Sequence, residues 1–155
     1  WAKPDAKNKF QKKYPIAQNA VQLQQGTVMD LYPTILSVAH VKSPKHYALD
    51  GADLKKLLQG KEDKKHRDDF LMHFPHGEHR ANYFTTYRKG DWKLIYYYNP
   101  ETTGVPTWKL YNLKDDPYEA SEVTAKYPEK AASMIEKKKK RLTEENALYP
   151  ITENK

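Results

Sequence analysis

From Phe70 onward the apolar positions recur every second residue. Phe70, Met72 and Phe74 alternate with Leu71 and His73 until Pro75, which has no N–H to give to a ladder, ends the run. Residues 83–88 repeat this character. Two further runs follow, Trp92-Lys93-Leu94-Ile95-Tyr96-Tyr97-Tyr98 and Trp108-Lys109-Leu110-Tyr111-Asn112-Leu113, both rich in aromatic and β-branched side chains. Gly90-Asp91 supplies turn chemistry ahead of the first of them, and Asp115-Asp116-Pro117 supplies it after the second. Period two then puts Trp92, Leu94, Tyr96 and Tyr98 on one face and Lys93, Ile95 and Tyr97 on the other. Four consecutive strands with short connections predict an antiparallel sheet. The apolar face of such a sheet needs a cover. Pro128 suits the first turn of a helix reaching about Leu148, whose inner stripe runs through Ala131, Ile135 and Leu142. The fold class read from the pattern is α+β, a four-stranded antiparallel sheet packed against a long C-terminal helix.

Ahead of residue 67 the pattern is less regular. Residues 1–27 hold Pro4, Pro15 and Gly26 without sustained periodicity and read as extended, with a short strand at 20–23. A helix is expected near 31–39, with Pro33 in its first turn, Asp30 offering a carboxylate to the orphan backbone donors, and Leu31, Ile35 and Val38 on one face. A second helix near 52–59 is stopped by Gly60. The charged stretch 61–69 reads as an exposed connection.

Composition narrows the function classes. A length of 155 residues allows a real core, and twelve tyrosines and three tryptophans argue against disorder despite the low hydrophobic fraction of 38%. The absence of cysteine excludes a thiol nucleophile, a disulfide framework and thiolate metal sites. No apolar run has the length to span a bilayer, so no membrane segment is expected. The net charge of +7 favours polyanionic partners, with the surplus clustered in 3–13, 61–67 and 137–141. Such runs are usually solvated faces.

Four motifs, taken in order, point to a family. They are Asp30-Leu31-Tyr32-Pro33-Thr34; Asp50-Gly51 with Leu54, Leu57-Leu58 and Gly60; Arg88 with Gly90-Asp91-Trp92-Lys93-Leu94-Ile95; and Leu110-Tyr111-Asn112-Leu113-Lys114-Asp115-Asp116-Pro117 with Glu119. Together they resemble the closing third of bacterial sulfatases of the arylsulfatase type, in the alkaline phosphatase-like superfamily. The resemblance covers about residues 21–148. It implies that residues 1–66 form the end of an α/β catalytic domain and that 67–155 form the C-terminal subdomain. It also implies a parent enzyme that hydrolyses sulfate esters, on a sulfated glycan, in the periplasm or outside the cell. Such enzymes use a formylglycine nucleophile and calcium, because positive groups must neutralise the sulfuryl oxygens in the transition state. None of the motifs that carry those groups occurs in this chain. The expected partners are therefore the rest of the catalytic domain and the sulfated carbohydrate, with no specific nucleic acid, and the 155 residues alone are expected to be inactive.

The candidate substrate contacts are His73, His76, His79 and Arg80, at the end of the first strand. Imidazole and guanidinium groups suit sulfate and sugar hydroxyls, and the resemblance brings this segment near a pocket rim. The plain alternative is a solvated connector. A zinc site is disfavoured, because Pro75 and Gly77 break the His-x-x-His-x-x-His run and its ligands need not converge. Arg88 with Asp91, and Asp115 with Asp116, read as turn-fixing residues, the latter pair offering a carboxylate to cap 119–126. Tyr96, Tyr97 and Tyr98 read as packing residues. Two other functions stay open. A phosphodiesterase or phosphonate hydrolase of the same superfamily would share the tail, and a free-standing basic module would bind heparin-like glycans or nucleic acid through 61–67 and 137–141.

Overall fold

The computed structural model describes residues 5, 7–75, 83–98 and 107–149. The chain divides into two compact units, residues 1–68 and residues 69–155.

The second unit is the sheet and its helix. Strands β1 (Asp69–Phe74), β2 (Phe84–Lys89), β3 (Trp92–Tyr97) and β4 (Trp108–Asn112) form a sheet in sequence order, every neighbouring pair antiparallel. Lys89 pairs with Trp92 across Gly90-Asp91. Only Gly90 of these two has positive φ, at 58°. That is the backbone of a type II′ turn, in which the first central position favours glycine. Arg88 Nε donates to Gly90 O at 3.1 Å and Asp91 O accepts from Leu113 N at 2.7 Å, so this turn is held from both sides.

Residues 122–124 cover the outer edge of β4 at Leu110. Val123 N donates to Leu110 O at 2.9 Å, while Leu110 N is shared between Thr124 Oγ1 and Glu122 Oε1. Asp116 accepts from Ser121 N at 2.8 Å, and such backbone bonds hold its carboxyl below the usual range. The 119–126 segment that this carboxylate caps is turns and not helix, and Glu119 sits at φ 57°.

Helix α4 spans Pro128–Glu144, with proline in its first turn as expected, and ends earlier than the sequence pattern suggests. Its buried residues are Ala131, Met134, Lys138 and Leu142. They fall on one i, i+3, i+4 stripe, of which Ala131 and Met134, with Ile135 partly buried beside them, pack against Tyr87, Leu94 and Leu110 of the sheet. The helix stops because the chain turns left-handed at Asn146, φ 49°. Asn146 N then bonds Thr143 O and Ala147 N bonds Leu142 O, the two closing bonds of a Schellman motif.

The first unit is built on short helices. Asn8 caps α1 (Lys9–Lys13) through its Oδ1, which accepts from Phe10 N and Gln11 N. This helix falls in the part read as irregular. Residues 20–23 are not strand. Helices α2 (Leu31–Val38) and α3 (Lys55–Leu58) fall within the expected segments, α3 being the shorter. Both end in the same Schellman pattern as α4, around His40 and Gly60 respectively.

Asp30 does not cap α2. Its carboxylate serves the 3-10 turn Val28–Asp30, accepting from Thr27 N and Thr27 Oγ1. Its other oxygen accepts from Ala52 N at 2.8 Å. That reach depends on Gly51, because a Cβ there would stand 2.1 Å from Met29 O. The stretch 61–69 is largely exposed, as expected, but Asp63 and His66 tie it to the rest of the unit. Gln24 makes a two-way amide pair with Asp63, Lys56 Nζ reaches Asp63 at 2.9 Å, and His66 is buried with Nε2 3.7 Å from Asp30 Oδ2.

Candidate functional site

His73 lies on β1 directly opposite Thr85 of β2. Its Nδ1 is 2.7 Å from Thr85 Oγ1, which is in turn 2.7 Å from the Tyr98 hydroxyl. Its Nε2 is 2.6 Å from the main-chain oxygen of Leu148, just beyond α4. Thr85 is fully buried, and burial raises the Tyr98 phenol above its ordinary range. The Tyr149 ring meets both His73 and Tyr98 edge-on, at 6.0 Å in each case. His73 thus spends both ring nitrogens within its own unit. The other three residues singled out with it, His76, His79 and Arg80, lie outside the described residues.

Next to this chain of groups is a buried lysine. Lys138 projects from α4 with 3% of its surface exposed, and its Nζ lies 4.0 Å from the Tyr96 ring centre, 5.2 Å from Trp108 and 5.7 Å from Tyr98. Burial pushes its ammonium pKa down to about 8, and the Lys139 charge adds to that. The ring faces pull the other way, because their quadrupoles favour the cation. Sequence reading had placed Lys138 in a solvated basic run. The signal it passed over was spacing, since Met134, Lys138 and Leu142 are four residues apart and share a face.

The rest of that run is largely paired. Lys139 bonds Glu136, Lys140 faces Glu144 at 3.8 Å, and Arg141 bonds Glu145 at 2.8 Å. Tyr96 packs on Trp108 at 4.1 Å and on Tyr98 at 4.6 Å, so these rings serve the interior as expected.

The opposite sheet face carries an open groove of about 620 Å³, lined chiefly by Phe70, Met72, Phe84, Thr86, Ile95 and Tyr97. A Lys93–Glu119 pair at 2.7 Å stands at one side, both carboxylate oxygens accepting from Nζ. In the first unit, Leu31 and Ile35 of α2 are exposed, at 51% and 60%, together with Val21, Leu23, Val28 and Tyr32. The apolar face expected of α2 is therefore not a core face within this chain; Thr34 is the residue α2 buries. Thr34 Oγ1 takes the Leu54 N–H at 2.9 Å and donates to Asp30 O, tying α2 to the approach to α3.

Among the described residues, no group of three or more His, Asp or Glu side chains converges as a metal site. The described residues offer no ligand set of their own for the calcium that the resemblance implies for the full-length enzyme. No helix of the described residues is long and apolar enough to cross a membrane.

The second unit is a four-stranded antiparallel sheet closed by one C-terminal helix, and the short-helix unit before it in the chain is organised on Asp30 and Gly51. Residues 5–147 match the model of the family described as N-sulphoglucosamine sulphohydrolase, C-terminal, and the chain belongs to that family. An uncharacterised sulfatase of Schizosaccharomyces pombe is 32% identical over 121 residues, covering 71% of this chain and 20% of the relative. A structure described as holding its substrate D-glucosamine-2-N,6-O-disulfate is 28% identical, with a TM-score of 0.58 over 74% of this chain and 23% of that one. A phosphonate monoester hydrolase of Agrobacterium radiobacter shares the fold at 24% identity and a TM-score of 0.50, over 70% of this chain and 23% of that one. The chain spans about a fifth to a quarter of the relatives it matches.

Proposed function

We propose that this chain is the C-terminal portion of a sulfatase that hydrolyses sulfate esters on a sulfated glycan, with nucleophile and metal ligands supplied by the rest of the catalytic domain. The observation that carries this reading is the family match over 5–147 in a chain that spans a fifth to a quarter of its relatives. In this reading the exposed apolar side chains Leu31 and Ile35, one turn apart on α2, rest against the remainder of the catalytic domain. The substrate contacts are assigned to His76, His79 and Arg80, with His73 at the base of their segment. The relative bound to an N,6-O-disulfated glucosamine makes that sugar class the first substrate to assay.

The test is release of inorganic sulfate by the full-length enzyme and by the 155 residues alone. The full-length enzyme should act on sulfated glucosamine and leave a phosphonate monoester largely untouched, while this chain alone releases nothing. Preferential cleavage of the phosphonate would move the assignment to the hydrolase class that shares the fold. The free-standing polyanion-binding alternative is weakened in the 137–141 cluster, where Lys139, Lys140 and Arg141 face carboxylates and Lys138 is buried.

A further inference from the structure

The bonds around His73 have a direction that one atom decides. Leu148 O is a carbonyl and can only accept, so the His73 nitrogen 2.6 Å away, Nε2, must carry a proton. In the neutral ring Nδ1 is then an acceptor, so the Thr85 hydroxyl 2.7 Å from it must donate. Having spent its proton, Thr85 Oγ1 accepts from the Tyr98 hydroxyl. The relay therefore runs Tyr98 to Thr85 to His73 to Leu148, and the Tyr98 hydroxyl also lies 3.5 Å from His73 Nδ1.

We infer that His73 is a latch, a positioning residue that holds the segment following α4 against the sheet, and that this segment fixes the histidine's tautomer in return. The geometry explains why a latch is needed. After the Schellman turn at Asn146 the chain has left its helix, and the side chains of Leu148 and Tyr149 are 79% and 53% exposed, so burial gives little reason to stay. What holds the segment is the bond from His73 and the edge-on contacts of Tyr149 with His73 and Tyr98. The latch is rigid on its inner side, since Thr85 has no surface exposed and is fixed on β2 opposite His73. This assignment stands apart from the proposed activity, because it concerns how 145–149 is held and not what the parent enzyme cleaves.

Two measurements on the full chain test it. Nitrogen-15 NMR of the imidazole should show the Nε2–H tautomer for His73, and Thr85→Val should shift its Nδ1 resonance by removing the donor. A wild-type ring in the Nδ1–H form overturns the relay. Chymotryptic cleavage after Leu148 should be about three- to tenfold faster in His73→Phe than in the parent chain, the loss expected for one hydrogen bond. His73→Gln, whose amide N–H can still reach the carbonyl, should recover part of that protection. Tyr98→Phe serves as the variant least disruptive to packing: it should perturb the His73 signals while leaving the Leu148 bond in place. Equal cleavage rates in His73→Phe and wild type, with both folded by near-UV circular dichroism, overturn the latch.

Discussion

At the residue scale, two glycines that look alike in sequence do different work. Gly51 lets two backbones touch, so Gly51→Ala drives a Cβ into Met29 O and should destabilise the first unit by about 1–3 kcal/mol. Gly90 has open space around it and a left-handed backbone. Gly90→Ala should therefore cost about 1–2 kcal/mol, from conformation alone, and Gly90→Asn should cost less. Urea unfolding of the three variants separates steric from torsional cost. Lys138 gives a pH signature. Its folded pKa, near 8, lies below the value of 10.5 for a free lysine, so between these pH values the unfolded chain binds a proton that the folded chain has released. Stability should rise with pH across that window, by at most about 1.4 kcal/mol per pH unit, and Lys138→Met should abolish the slope. Unfolding curves between pH 8 and 9.5 suffice, below the range where the buried tyrosines titrate. A slope unchanged in Lys138→Met would show that the aromatic faces hold the ammonium charged throughout.

At the element scale, the three helices described with Schellman ends use glycine, histidine and asparagine at the left-handed position. Only the first was readable as a stop, because glycine is the residue with no steric penalty there. Asn146→Val should shorten or fray α4 and cost about 1–2 kcal/mol, whereas Asn146→Gly should be tolerated; far-UV circular dichroism and thermal melts distinguish them. The strands were legible because alternation is a strong signal where one face is buried, and Leu94, with no exposed surface, bears this out. Leu94→Ala should cost about 2–5 kcal/mol by denaturant unfolding. Helix α1 was missed because five residues carry too few positions to show a period, although Asn8 was the available cue. Lys138 was misplaced for the opposite reason, because its charge outweighed its spacing. The partners of His73 were out of reach of sequence, since Thr85, Tyr98 and Leu148 come to it only through strand register and a helix end.

At the scale of the whole molecule, the proposed docking of this chain on the rest of a catalytic domain accounts for apolar side chains left exposed on α2. The exposed residues Leu31 and Ile35 are the sharpest case. Replacing both by Glu should leave the unfolding of this chain within about 0.5 kcal/mol of wild type, as for other exposed sites. The same pair of changes in the full-length enzyme should lower its melting temperature and its sulfatase activity together. A full-length enzyme indifferent to them would remove α2 from the interdomain surface.

The strip of chain at 122–124 has one more effect. By taking both outward backbone groups of Leu110, at the middle of β4, it interrupts the ladder that an incoming strand would need there. Growth of this sheet along β4 by recruitment of another polypeptide, whether in assembly or in misfolding, would first have to displace that strip.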